Sequence, residues 1–174
     1  MDHVEGFNFI SDKNSTKLIL GSAPSVKSLS FQEYYAHSQN SFWKIILNLS
    51  GRTYDAHPSY EDRIQIMLSL EIGLWDVMRA CRRKGSLDSS IEFETAEMND
   101  FSQIISASPR IEKVFFNGKS AHQLYLKSLR SSNNKVMSPL AELKYQVLPS
   151  TSPANAKLNF KQKLDIWRDE ILRE

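Results

Sequence analysis

A chain of 174 residues that is 41% hydrophobic and 24% charged, with six glycines and six prolines, can bury the core of one domain and is too apolar to be disordered as a whole. Its net charge of +2 permits a nucleic-acid partner without arguing for one, and its single cysteine, Cys81, excludes an internal disulfide and a cysteine-rich zinc site. No apolar run approaches the ~20 residues that span a bilayer, and MDHVEGFNFI lacks the basic-then-apolar order of a secretory signal, so a soluble, cytoplasmic protein is expected.

Residues 1–16 are polar and read as a partly ordered extension that Phe7, Phe9 and Ile10 pin to the domain. Residues 17–20 form a short apolar strand of the buried parallel kind. A turn follows at Gly21, Ser22, Ala23, Pro24 and Ser25, then a polar loop carrying Tyr34, Tyr35, His37 and Asn40. Phe42, Ile45, Ile46 and Leu49 share one face of a helix over 41–49, which Gly51 ends. Ser59 and Asp62 have the spacing of a capping box for a helix that turns Ile64, Met67 and Leu68 inward. The second strand spans 73–77.

Residues 78–84 (MRACRRK) are basic and read as helix or loop, and 85–98 are mixed with an acidic bias. Asn99 can cap a helix over 100–106, and Pro109 stops it. A third strand at 111–116 closes on Asn117 and Gly118, a helix follows over 119–130, and Asn133-Asn134 marks a turn. The fourth strand is 145–148. After a proline-bracketed loop at 149–153, a last helix from about 158 carries the stripe Phe160, Leu164, Trp167 and Ile171. Strands alternating with helices mean a parallel sheet covered on both faces. The expectation is α/β: a single domain over 1–174, a three-layer αβα sandwich around a four-stranded parallel sheet. All four strand ends carry turn or polar residues on the carboxyl side, where such sheets bind ligands.

The turn at 21–25 has neither the GKS/GKT of a phosphate-binding loop nor a GxGxxG fingerprint, which argues against a dinucleotide or NTP site. An Asn before an apolar helix is most often its N-cap. Here Ser41 can serve instead, and Asn40 sits in one loop with His37 and Tyr35, a grouping that suits a planar, hydrogen-bonding ligand such as a base. The loop with Ser150, Thr151, Ser152 and Pro153 reads as a rigid connection or as a donor of backbone and hydroxyl hydrogen bonds to phosphates, helped by the positive end of the next helix and by Lys157. Arg79, Arg82, Arg83 and Lys84 form the densest basic cluster, either a solvated face or a phosphate-contacting edge.

Taken together, LILGSAPSVKSL (18–29), YYAHSQNSFW (34–43), GLWDVMRACRRKGSLDSSI (73–91), VFFNGKSA (114–121) and LPSTSPANA (148–156) resemble the uracil-DNA glycosylase superfamily, in particular its deoxyinosine (hypoxanthine-DNA) branch. A more distant match is to the mismatch-specific uracil/thymine glycosylases, through Tyr35–Lys44. The branch usually has GSMPG where this chain has GSAPS, and AHPRN where it has AHSQN. The mismatch-specific enzymes place a water-activating Asn where this chain has Ala23.

The resemblance implies a monofunctional glycosylase that hydrolyses the N-glycosidic bond of a deaminated base in DNA, with hypoxanthine favoured and uracil possible. No lysine sits at a nucleophile's place within these segments, apart from Lys27 and Lys44 at their edges, so no lyase step and no metal are expected; no cofactor is expected, and the partner is DNA, met by a monomer. The resemblance points to Asn40 as the residue that orients water. The chemistry then asks for an aromatic surface under the extruded base, for which Tyr35 is the first candidate and Tyr34 or Phe42 the next. It asks for donors aimed at the departing base, for which the turn Gly21, Ser22, Ala23 and Pro24 and the side chains of His37 and Asn117 are placed. Ser150, Thr151, Ser152 and Pro153 would contact DNA. Two alternatives stand beside it: a nucleic-acid or nucleotide binder of the same fold with weakened chemistry, and a hydrolase of free nucleosides.

Overall fold

The computed structural model describes residues 2–52, 57–131 and 138–173. Two sheets are present among them. Strand β1 (Asp2–Glu5) joins β4 (Met78–Arg83) and β5 (Ile91–Met98) in an antiparallel sheet ordered β1-β4-β5. Strands β2 (Lys17–Gly21), β3 (Ile72–Asp76), β6 (Lys113–Asn117) and β7 (Lys144–Leu148) form the expected parallel sheet, ordered β3-β2-β6-β7.

The parallel sheet is buried on both faces, which is why its strands read as unbroken apolar runs. Ile19 points into one layer with Leu74 and Phe115, covered by Phe42, Ile45 and Ile46 of α2 (Phe42–Leu49), Met67 of α3 (Tyr60–Ser69) and Trp167 of α6 (Phe160–Ile171). Leu18 and Leu20 point into the other with Val114 and Phe116, covered by Phe101 and Ile104 of α4 (Phe101–Ala107) and Tyr125 of α5 (Lys119–Ser131). Each such side chain contributes roughly 1.5–3 kcal/mol when fully buried. This is the three-layer sandwich, and the stripe Leu164, Trp167 and Ile171 seats α6 on it. The capping box of α3 is present: Ser59 Oγ accepts from the Asp62 amide at 3.1 Å, and Asp62 Oδ2 accepts from the Ser59 amide at 3.2 Å.

Several elements differ from the sequence expectation. Residues 78–83 are neither helix nor loop but the whole of β4, and 85–98 supply a 3-10 turn (Asp88–Ser90) and β5. The pairing of β4 with β5 shifts register between Met78 and Ala80 and again between Ala80 and Arg82, so strict alternation is lost and the run does not look like a strand. The N-terminal segment is tied in through β1 and through an antiparallel bridge from Ile10 to Leu74. A short helix α1 (Val26–Phe31) interrupts the expected polar loop, with Ser25 as its N-cap accepting from the Ser28 amide at 3.1 Å. Helix α4 is capped by Asp100, not Asn99; the Asn99 amide is buried and donates to the Asp76 carbonyl at 2.8 Å. The last helix begins at Phe160 behind an Asn159–Gln162 capping box. The turn expected at Asn133-Asn134 lies outside the described residues.

Candidate active site

The carboxyl ends of the parallel strands open into a cavity of about 850 Å³, within the range of small-ligand sites. Gly21, Ser22, Ala23 and Pro24 after β2, Tyr35 and Asn40 from the following loop, Asn117 at the end of β6, and Ser150, Thr151 and Ser152 after β7 all line it. His37, Phe42 and Pro153 do not. His37 turns outward, its Nδ1 accepting from the Gln39 amide at 3.2 Å. Phe42 is fully buried beneath Tyr35, the two rings stacked at 4.1 Å and 23°. Pro153 is exposed on the outer side of its loop.

Tyr34 and Tyr35 both line the cavity, and Tyr35 is the less buried of the two. The Tyr35 backbone lies in the left-handed region at φ 54°, which costs an L-residue roughly 1–2 kcal/mol. Tyr34 is also anchored in the core at 3% exposure. The Tyr34 ring packs edge-on against Phe7 at 5.1 Å, and its carbonyl accepts from Trp43 Nε1 at 2.7 Å.

Asn40 holds the mouth of α2. Its Oδ1 accepts from the Phe42 amide at 3.0 Å, while Ser41 makes no side-chain cap and instead donates from its amide and Oγ to the Thr151 carbonyl at 3.1 and 3.2 Å. The expectation that Ser41 caps the helix is reversed. The cap fixes the Asn40 amide plane and leaves Oδ1 a second lone pair on a residue that lines the cavity.

The loop after β7 is clasped to the sheet. Asn117 Nδ2 donates to Thr151 Oγ1 at 2.8 Å and Asn117 Oδ1 accepts from the Thr151 amide at 2.9 Å. Trp167 Nε1 donates to the Pro149 carbonyl and Lys163 Nζ to the Asn155 carbonyl. Gly118, at φ 99°, lies so close to Ser150 that a Cβ would sit 2.8 Å from the serine Cβ. The amides of Thr151, Ser152 and Ala154 are taken by Asn117 Oδ1, Ser150 Oγ and Ser152 Oγ. Those three amides are engaged within the loop and the clasp, and the hydroxyl hydrogens of Ser150 and Ser152 are donors the loop can still offer. The Thr151 hydroxyl is buried in the clasp, and the start of α6 is closed by its own capping box.

The opposite wall is charged. Asp76 ends β3 at 3% exposure, and Asp88 also lines the cavity. Burial pushes the Asp76 carboxyl up to about 7, with the Asp88 charge adding and Arg83 opposing. Burial also raises Asp88, against the pull of a hydrogen bond from Ser22, the Arg83 charge and a hydrogen bond from Ser120. Arg83, read from sequence as solvated face or phosphate edge, is neither. It is buried, donates from Nε to the Gly85 carbonyl at 2.9 Å and from Nη2 to the Pro24 carbonyl, and so buckles the 21–25 turn to β4. Arg79 pairs with Glu97 on the exposed face of the antiparallel sheet.

Sequence reasoning noted Asp76 only as a polar strand end and missed Asp88, Lys119 and Ser120 as lining residues. The signal for Asp76 was present: a carboxylate closing a strand, IGLWD, whose residues are all buried. Asp88 carried none, because only the packing of the 3-10 turn brings it over the sheet. The assembled site can seat a planar ligand against Tyr35, hold a water at Asn40 and offer hydroxyl donors at one rim.

Comparison with known proteins places this architecture. The family model described as "Uracil DNA glycosylase superfamily" matches residues 7–173. A protein of Methanosarcina acetivorans named hypoxanthine DNA glycosylase is 36% identical over 162 residues, 93% of this chain and 94% of that protein. A protein of the same name from Methanosarcina barkeri is 31% identical over 97% of this chain and 98% of its own length. A solution NMR structure from M. acetivorans, provisionally named a uracil DNA glycosylase, superposes with a TM-score of 0.74 at 31% identity, covering 99% of this chain and all of that one.

Proposed function

The chain belongs to the uracil DNA glycosylase superfamily, and on that premise we propose that it is a monofunctional DNA glycosylase that removes a deaminated base, hypoxanthine first, by hydrolysis of the N-glycosidic bond. The relatives named hypoxanthine DNA glycosylase support the substrate. The observation that carries the reading is the coincidence in one cavity of the Tyr35 ring, the cap-fixed Asn40 amide and the serine hydroxyls of the loop after β7.

In this reading the duplex lies across the rim, and the hydroxyls of Ser150 and Ser152 bond its phosphates without reading sequence. The damaged nucleotide is extruded into the cavity and its base rests against Tyr35. The C1′–N bond breaks with its electron pair leaving on the base, and positive charge develops on the sugar. Asn40 Oδ1 holds the attacking water, whose oxygen bonds to C1′ while one of its protons ends on the departed base. An amide is too weak a base to deprotonate water early, so bond breaking leads and positioning supplies much of the rate. Ala23 offers no side chain for that task, and Asn40 is the residue to which the resemblance points for it. The protein is taken to act as a monomer in the cytoplasm; among the described residues no helix is long and apolar enough to cross a membrane.

The test uses a duplex carrying one deoxyinosine, incubated with the protein and treated with alkali to cleave abasic sites. Strand cleavage that depends on the protein is expected. Salt-sensitive binding without base release would replace the proposal with the weakened-binder alternative.

A further inference from the structure

The charged wall holds a group that neither the fold nor the positioning of water uses. Asp76 lines the cavity, and its Oδ2 is buried with no hydrogen-bond partner among the described residues. The Tyr35 hydroxyl is in the same condition. Both close on Gly21, where an added Cβ would lie 2.3 Å from Asp76 Oδ1 and 2.8 Å from the Tyr35 hydroxyl. Buried polar atoms are almost always satisfied, and exceptions cost roughly 1–3 kcal/mol each. Two exceptions on residues that line one cavity mark where a polar ligand belongs.

We propose that Asp76 reads the extruded base, its carboxyl hydrogen-bonding the lactam edge, the carbonyl and adjacent N–H that deamination creates. This rests on the glycosylase reading above. The carboxyl acts in its neutral form, which burial favours up to about pH 7. A neutral carboxyl carries one O–H donor and one acceptor oxygen side by side, the complement of a C=O beside an N–H. A carboxylate has no donor; it would oppose the base carbonyl and the electron pair the base carries away. The same O–H is a preorganised donor for that charge.

The groups around Asp76 do not replace it. Asp88 of the 3-10 turn is paired with Arg83, whose Nη1 lies 3.9 Å from its Oδ1. Arg83 of β4 is committed to the Pro24 and Gly85 carbonyls. Burial raises the Tyr34 and Tyr35 phenols, so both stay neutral, and it keeps Cys81 of β4 a neutral thiol. Lys119, at the start of α5, lines the cavity but has no acceptor.

The experiment is single-turnover base release from the deoxyinosine duplex by wild type, Asp76→Asn and Asp76→Ala, between pH 5.5 and 8.5, with thermal melting as the check of folding. Wild type is expected to lose rate above about pH 7, approaching tenfold per pH unit. Asp76→Asn, a weaker donor–acceptor pair that cannot ionise, should be slower at pH 6 by less than about tenfold and flat across the range. Asp76→Ala should lose about 10²–10³-fold at pH 6. Wild-type rates in Asp76→Ala, or a folded Asp76→Asn that is inactive or keeps the wild-type decline, overturn the assignment. If Asp76→Ala fails to fold, the pH profile of Asp76→Asn decides. A wild-type protein that releases no base from any deaminated duplex overturns the glycosylase reading itself, a different result from base release that ignores Asp76.

Discussion

The two walls of the cavity are built on opposite principles. On the side of β7, polar groups are spent on one another: Asn117 clasps Thr151, Ser41 bonds the Thr151 carbonyl, and Ser150 and Ser152 close the turn. On the side of β3, buried polar atoms are left without a hydrogen bond: Asp76 Oδ2 and the Tyr35 hydroxyl, beside an Arg83 whose Nη1 lies 3.9 Å from Asp88 Oδ1. The satisfied wall gives shape, because each bond fixes a loop that would otherwise move. The unsatisfied wall gives chemistry, because its atoms have something left to offer a ligand. Asn40 also lines the cavity, with one Oδ1 lone pair spent on the helix and one left over.

That contrast can be broken or sharpened by experiment. The largest effect belongs to the unsatisfied wall. The rise of Asp76 from 3.8 to about 7 is worth on the order of 4 kcal/mol. Between those values the native state keeps a proton that the unfolded chain has released. Stability is therefore full below about pH 4 and falls as pH rises through about 7, with Asp88 contributing in the same direction. Chemical denaturation across pH 5 to 8 should show this fall, and Asp76→Asn should flatten it. A slope unchanged by that substitution would mean the carboxyl is ionised throughout.

Next comes Asn40→Ser, which separates cap from chemistry. Serine caps helices about as well as asparagine, so melting should stay within a few degrees of wild type. Base release should fall at least about 100-fold, or roughly 2.7 kcal/mol, as the water loses its anchor. Survival of activity would remove Asn40 from the mechanism.

On the satisfied wall, Thr151→Val keeps the shape and deletes the hydroxyl that receives the Asn117 amide. A buried N–H left without its partner costs about 1–3 kcal/mol, to be read from the shift of the urea midpoint. The smallest effect is expected at the rim. Ser152→Ala should weaken duplex binding a few-fold, about 0.5–1.5 kcal/mol, measured by fluorescence anisotropy, with the rate of base release from bound duplex unchanged. A loss of rate instead would show that the loop shapes the cavity rather than holding the phosphates.

Much of this architecture is legible in the order of residues alone. The apolar runs of β2, β3 and β6 announce the parallel sheet, since strands buried on both faces have no alternation to obscure them. The stripe of α6 and the capping box of α3 are equally plain. The antiparallel sheet is not. Shifted register in β4 and the half-buried residues of β5 blur the period-two pattern, and one partner of β4 is β1, far away in the chain. At the site, Tyr35, Asn40 and the turn after β2 can be read because they cluster in sequence. Phe42 was misplaced because its helical spacing says only that it faces inward, and nothing local says that Tyr35 covers it.

By itself the sequence determined the layers of the fold, the crevice at the strand ends and the loop that supplies Asn40, because each depends on the order of apolar and polar residues along a short stretch. Only the tertiary structure decided which polar atoms are consumed and which are left over. That Asn117 is bound to Thr151, that Arg83 is buried under the first turn, and that Asp76 lines the cavity with its Oδ2 lacking a hydrogen bond are facts about residues far apart in the chain. Burial and the competition for hydrogen-bond partners arise only when those segments meet.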